Sequence, residues 1–215
     1  MKTLAIIGSG DLGKLIAYHA INDKHFGNVV FFDDFKKNGE IVEGHTVIGK
    51  ISTLDDEFKK NTFSEIIIAI GYKHLNARKN IFEKFYNQNI PFANIIHSSS
   101  YIDKSCKIGH GVFIHPGCIL DRNVVIGNNT LLNTACTVAH DSEIEAHCFL
   151  SPRVAIAGFV KIKEQCFLGI NSTIIDNITI CPQTQLGGGS VVTKSITESG
   201  LYVGIPAKKI RDIRL

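Results

Sequence analysis

From Ile102 to Val192 every sixth residue is Ile, Leu or Val without interruption: Ile102, Ile108, Ile114, Leu120, Ile126, Leu132, Val138, Ile144, Leu150, Ile156, Ile162, Leu168, Ile174, Ile180, Leu186 and Val192. An α-helix repeats its apolar stripe about every 3.6 residues and a strand every two, so a strict period of six fits neither as a single element. It calls for short straight segments, each sending one large aliphatic side chain inward, joined by turns that recur on the same beat. Three such segments close one triangular coil, so equivalent faces recur at every third segment and the aliphatics stack from coil to coil. Sixteen aliphatic positions predict a little over five coils of parallel β-helix with no interrupting loop.

A second beat runs four residues behind the first. It begins Cys106, Val112, Cys118, Val124, Thr130 and Cys136, and continues Ser142, Cys148, Val154, Val160, Cys166 and Ser172. These residues are small or β-branched, as a position where the coil narrows requires. Five of the six cysteines occupy this slot and no Cys-x-x-Cys unit is present, so the cysteines are expected to serve as small core hydrophobes rather than as disulfides or zinc ligands.

Residues 1–97 follow another pattern. LAIIG is a short buried strand, followed by Gly8, Gly10 and Gly13 in the run GSGDLG and by the helical stretch KLIAYHAIN. A second strand, NVVFFDD, ends in Asp33 and Asp34, a third, EIIIAIG, ends at Gly71, and a last short strand is expected near FANII. This order predicts a Rossmann-like α/β domain with parallel strands and crossover helices. A Gly-x-Gly-x-x-Gly turn after a strand presents helix N-terminal amides to a diphosphate, as in dinucleotide sites. The domain is short for a full dinucleotide fold, and Asp33 and Asp34 suit the base or ribose of a nucleotide sugar as well as they suit NAD. The chain is therefore expected to have two domains: a nucleotide-sugar-binding α/β domain at 1–97 and a β-helix with a C-terminal cap at 98–215.

The formal net charge of +3, with 20% charged residues and no like-charge run, points to no nucleic-acid or membrane surface. No stretch approaches the roughly 18 apolar residues of a spanning helix, and the N-terminus carries no extended signal-like apolar region. A cytoplasmic location is the expectation.

Within the repeat, LLNTACTVAHDSEIEAHCF places His140 beside Asp141. An imidazole held by a carboxylate is fixed in one tautomer and becomes a better general base. Neighbours on a strand point to opposite faces, so contact between the two requires a corner, which the repeat supplies. Gly158 lies one full coil beyond His140 and offers an unobstructed backbone N–H for a developing oxyanion. Asn133, seven residues before His140, is a candidate to orient the acceptor.

With NTACTVAHD, GINSTI, LGGGSVVTK and VGIPAKKI, the chain resembles the hexapeptide-repeat sugar acyltransferases of the bacillosamine-pathway and sialic-acid O-acetyltransferase type over essentially its whole length. The resemblance implies a left-handed β-helix, a homotrimer, acetyl-CoA as co-substrate between neighbouring helices, no metal, and a nucleotide-linked amino sugar held by the N-terminal domain. By the same resemblance His140 is the general base, Asp141 supports it and Asn133 contacts the acceptor. Gly158, Ile170, Gly188 and Phe149 are assigned to the CoA path, and Gly10, Asp11, Leu12, Asp33, Asp34 and Gly71 to the nucleotide pocket. Members of the family often carry histidines at the places held here by Leu12 and Phe149, and His147 is out of register with the second of these.

The expected reaction is direct N-acetylation of a UDP- or dTDP-linked 4-amino-4,6-dideoxy sugar, with O-acetylation of a sialic-acid-type sugar as the alternative. Two other classes fit less well. In zinc carbonic anhydrases built on this coil a single ligating histidine precedes a pair, whereas here the candidates beyond His110 and His115 follow them. A purely structural solenoid has no need of the His-Asp pair or the VGIPAK tail.

Overall fold

The computed structural model describes residues 2–213, which divide into two compact units between Ile95 and Ile96.

In the first unit, β1 (Thr3–Ile7), β2 (Asn28–Phe32), β3 (Ile41–Val42), β4 (His45–Gly49) and β5 (Glu65–Ile68) form one sheet in the order β3-β4-β2-β1-β5. All neighbours are parallel except the β3–β4 hairpin, whose turn is made by Glu43 and Gly44 in the left-handed region. That hairpin extends the sheet beyond the strands expected from the sequence, because so short a strand carries too little alternation to be recognised. The parallel strands are connected through α1 (Asp11–Asn22), α2 (Leu54–Lys59) and α3 (Leu75–Asn87). Strand residues alternate between the sheet's two sides, and both sides are apolar. Ala5, Ile7, Val30, Phe32, Ile66 and Ile68 share one core with Phe82 and Phe85 of α3, while α1 buries Ile16, Ala17 and Ala20. The segment expected as a last strand divides in two: Phe92 makes a single bridge to Ile66, whereas His97 already donates to Ile114 of the coil.

The second unit is a left-handed β-helix. Each short strand pairs in parallel with its counterpart one coil on, giving three sheets. We call the sheet containing Ile119–Leu120 and Thr137–Val138 the first face, that containing Val125–Ile126 and Glu143–Ile144 the second, and that containing Leu131–Leu132 and Phe149–Leu150 the third. Every aliphatic of the six-residue beat from Ile114 to Val192 is at most 3% exposed. At about 1.5–3 kcal/mol for each fully buried side chain, this stack is the main source of the unit's stability.

Corners recur where the sequence beat requires them. From Leu120 to Ile180 the third residue after each aliphatic adopts a left-handed conformation, through Asn123, Asn129, Ala135, Asp141, His147, Arg153, Phe159, Gln165, Asn171, Asn177 and Gln183. The C-terminal end is closed by Gly200–Val203, which runs parallel to Thr184–Leu186, and by Lys208–Arg211, which runs antiparallel to Gly200–Val203. The VGIPAK segment is fastened to the last coil through Val191 N–H to Gly204 O and Ala207 N–H to Val191 O.

The six cysteines are free thiols, with Cys118, Cys136, Cys148 and Cys166 fully buried. The slot has a polar rule as well as a size rule. Each of Cys106, Cys118, Cys136, Cys148 and Cys166 points its thiol at a carbonyl of the next coil, at 3.1–3.3 Å. Ser142 and Thr130 do the same with their hydroxyls, at 2.8 and 3.2 Å. Burial pushes the Cys148 thiol well above its ordinary range, so it stays protonated and unreactive.

Candidate active site

The corner between the first and second faces, here the first corner, stacks Arg122 and Asn123, then His140 and Asp141, then Gly158 and Phe159. A backbone ladder fixes their spacing: Asp141 N–H donates to Arg122 O at 2.9 Å and Phe159 N–H to His140 O at 3.2 Å. The left-handed φ of 58° at Asp141 turns its carboxylate back toward the preceding residue, and His140 Nδ1 lies 3.0 Å from Asp141 Oδ2. The corner geometry that contact demands is thus present. With Nδ1 carrying its hydrogen toward the carboxylate, Nε2 is left as the acceptor.

Asp141 is itself held. Asn123 Nδ2 donates to Oδ1 at 2.8 Å, and Arg122 Nη2 stands 3.9 Å from Oδ2. The Asn123 amide, the His140 ring and Arg122 together keep this carboxyl below its usual range, against a smaller upward push from burial. Below the imidazole, a Cβ placed on Gly158 would meet His140 Cε1 at 2.8 Å and Nε2 at 3.0 Å. A side chain at this position would displace the imidazole, and no acceptor among the described residues takes the glycine's N–H. Phe159, 53% exposed, meets the imidazole edge-on at 5.2 Å and forms a wall of the corner.

The other candidates of this unit lie elsewhere. Asn133, Ile170 and Gly188 sit at the third corner, between the third and first faces. There Asn133 Oδ1 accepts from Thr134 N–H at 2.8 Å, and Ile170 stacks under Gly188, whose added Cβ would come 3.0 Å from Ile170 Cγ2. Ile170 is 54% exposed. Phe149 is buried on the third face, its ring 6.0 Å from that of Phe167. His147 occupies the left-handed position of the second corner, where its Nδ1 is 3.0 Å from Asn129 Nδ2. His110 and His115 fall at different corners, and no group of three or more His, Cys, Asp or Glu among the described residues is arranged to hold a metal ion.

In the first unit the candidates converge on the carboxyl ends of β1, β2 and β5, where ligands bind in open parallel sheets. The three glycines of GSGDLG answer to different needs. Gly8 has a φ of 99°, and a Cβ on Gly13 would lie 2.1 Å from Gly8 O, so that glycine lets α1 approach the strand end. Gly10 has neither constraint: a Cβ there would meet nothing within 4 Å. It caps α1 without a side-chain hydrogen bond, leaving the helix N-terminus open beside Asp11 and Leu12. Gly71 likewise opens onto free space at the end of β5.

The two aspartates differ. Asp33 Oδ2 accepts from Ser9 N–H at 2.8 Å and Ser9 Oγ at 2.6 Å, and its Oδ1 accepts from Phe35 N–H at 2.9 Å. Burial pushes its pKa up, but the Ser9 hydroxyl and amide, Phe35 N–H and Lys36 outweigh that and hold it below the ordinary range. It acts as an ionised clamp between the glycine loop and the end of β2. Asp34 is exposed, and its Oδ1 accepts from Ile51 N–H at 2.9 Å. The sequence pattern marks both carboxylates but cannot separate clamp from exposed acceptor, because that depends on Ser9.

Residues 3–85 match the PglD N-terminal domain family. No curated protein matches the chain. Among solved structures, a histidine-to-alanine variant of GDP-perosamine N-acetyltransferase from Caulobacter crescentus, in complex with CoA and GDP-perosamine, superposes with a TM-score of 0.90 at 28% identity, over 97% of this chain and 96% of that one. The acetyltransferase domain of PglB from Neisseria gonorrhoeae gives 0.88 at 27% identity, over 98% and 100%. The same domain in complex with acetyl coenzyme A gives 0.89. WeeI from Acinetobacter baumannii, at 22% identity and 0.85, shares the fold. The chain thus joins a domain of the PglD N-terminal family to a left-handed β-helix with a His-Asp corner, is similar over almost its whole length to sugar N-acetyltransferases of the hexapeptide type, and is an acyltransferase.

Proposed function

We propose that the protein transfers the acetyl group of acetyl-CoA to the amine of a nucleotide-linked 4-amino-4,6-dideoxy sugar. The observation that carries this reading is the first corner. A histidine fixed by an ionised aspartate leaves Nε2 as acceptor, directly over a glycine whose N–H is unengaged among the described residues. As the amine nitrogen bonds to the thioester carbon, His140 Nε2 accepts the proton that nitrogen loses. The carbonyl oxygen gains charge, and Gly158 N–H, unengaged among the described residues, is the donor assigned to stabilise it. When the C–S bond breaks, His140 passes its proton to sulfur, and the products are the amide and free CoA thiol. No cysteine takes part.

The nucleotide half of the acceptor is assigned to the first unit, its diphosphate at the open N-terminus of α1 beside Gly10, Asp11 and Leu12, and its nucleoside toward Asp34 and Gly71. UDP or dTDP is the proposed carrier, although the Caulobacter crescentus relative is a GDP-perosamine enzyme. The CoA path is assigned to the third corner, through Ile170 and Gly188. First and third corners belong to different edges of one coil, so the reading includes a homotrimer in which a neighbour supplies the second edge. The outward side chains favour this. Those of the first face are Tyr101, Ile119, Thr137, Ala155, Thr173 and Val191, all uncharged, whereas the second face presents Lys107, Glu143 and Lys161. Among the described residues no helix is long and apolar enough to cross a membrane. The free thiols suit a reducing compartment, and we place the reaction in the cytoplasm.

The test is release of CoA thiol from acetyl-CoA with a panel of UDP-, dTDP- and GDP-linked 4-amino sugars. Turnover with a UDP or dTDP amino sugar supports the reading in full, and turnover with the GDP sugar alone replaces its carrier. Turnover only with hydroxyl acceptors would overturn N-acetylation.

A further inference from the structure

We propose that Phe35 is the stacking platform for the nucleobase of the substrate, and so a specificity-determining residue of the first unit. The inference rests on the nucleotide-sugar reading and deepens it.

Phe35 is 98% exposed, more than any other large hydrophobic side chain among the described residues. An exposed aliphatic at a surface is ordinary, but a phenyl ring wholly in water forgoes its burial free energy. The ring is not carried on a loose loop. Phe35 N–H donates to Asp33 Oδ1 at 2.9 Å, while Asp33 Oδ2 takes the Ser9 amide and hydroxyl at 2.8 and 2.6 Å. One carboxylate thus ties the residue bearing the ring to the glycine loop. The turn beyond it is tied by Lys36 Nζ to Glu40 Oε1 at 2.5 Å and by Lys37 N–H to Glu40 Oε2 at 3.3 Å.

Its place in the sheet points to the ligand. Phe35 follows β2, the neighbour of β1, at the carboxyl end where Gly10 opens onto free space. Beside it Asp34 is an exposed carboxylate, oriented through Oδ1 by Ile51 N–H. A flat apolar ring next to an oriented acceptor matches a group that has both a π face and N–H donors. In a nucleotide sugar only the base has both. Stacking of a base on an aromatic ring is nearly indifferent to which base is stacked. Phe35 therefore sets how tightly a nucleotide is held and leaves the choice of base to in-plane groups.

The experiment is titration calorimetry of the full chain, as wild type, Phe35→Ala and Phe35→Tyr, with UDP, dTDP and GDP as probes and CoA as control. The expected result is that Phe35→Ala weakens every nucleoside diphosphate the wild type binds by roughly 5- to 100-fold. Phe35→Tyr should restore binding to within about threefold, since it retains the aromatic face. CoA affinity and thermal midpoint should not move, because the ring is fully exposed. Unchanged nucleotide affinity in Phe35→Ala overturns the role of Phe35 and leaves the nucleotide-sugar reading standing. A changed oligomeric mass in that variant, read by light scattering, overturns the proposal in favour of an assembly contact. Wild-type protein that binds none of the three probes overturns the nucleotide-sugar reading, and the proposal with it.

Discussion

His140 is bracketed from two sides, by the Asp141 carboxylate at 3.0 Å and by the bare backbone of Gly158, and each side carries a prediction. Replacing His140 with Ala should lower kcat by about 100-fold or more, the usual range for a general base, with thiol release as the readout. The sign of the pH dependence follows from Asp141. Its carboxyl is held below the ordinary range, first by the Asn123 amide and then by His140 and Arg122, so it is ionised at neutrality and loses its charge only as pH falls through that lowered value. Protonation of Asp141 removes the partner that fixes the imidazole, so kcat/KM should fall as the pH drops through that lowered value. A kcat/KM that holds level on acidification would remove the His-Asp pair from the site. Gly158→Ala acts by displacement. Its Cβ would fall 2.8 Å from the ring, so the histidine must shift and kcat should drop about 10-fold or more while the thermal midpoint hardly changes. Near-normal turnover would remove Gly158 from the site.

At the scale of elements, the coil was legible in the sequence because one physical requirement, an inward aliphatic on every sixth position, repeats without exception. The His-Asp corner was legible for the same reason: position in the beat decides which residues turn. The thiol rule was not, since a slot filled by Cys, Val, Ser and Thr suggests only a size limit. The hydrogen bond to a carbonyl of the next coil emerges once the coils are stacked. Likewise the β3–β4 hairpin and the separate duties of Asp33 and Asp34 depend on partners remote in sequence. Two substitutions divide these effects. Leu150→Ala, in the fully buried stack, should cost about 2–5 kcal/mol in a chemical-denaturation measurement. Cys148→Ser keeps a donor for Lys163 O, which stands 3.2 Å from the thiol, so its cost should be about 1 kcal/mol with kcat within roughly twofold of wild type. A large loss of kcat in Cys148→Ser at preserved stability would reopen the question of a thiol intermediate.

At the scale of the whole molecule, the proposed homotrimer raises the question of which chain supplies which corner. Three coils that turn their first faces toward a common threefold axis bring the first corner of each against the third corner of the next, since those two corners flank that face. His140 of one chain would then work with Asn133, Ile170 and Gly188 of its neighbour, and the two sets need not approach within a single chain. One extended hexapeptide separates successive corners, a span of up to about 20 Å, which a side chain cannot bridge. The arrangement is tested by mixing two inactive variants. Asn133→Ala and His140→Ala are first assayed alone, and each should lose most activity. Co-expressed in equal amounts and assembled at random, a shared site is intact only where an Asn133→Ala chain supplies the histidine and a His140→Ala chain supplies the asparagine. That combination arises at about a quarter of the interfaces, so activity should recover to about 25% of wild type. Activity no higher than that of the separate variants would place both residues in one chain's site, and a monomeric mass in solution would remove the shared site altogether.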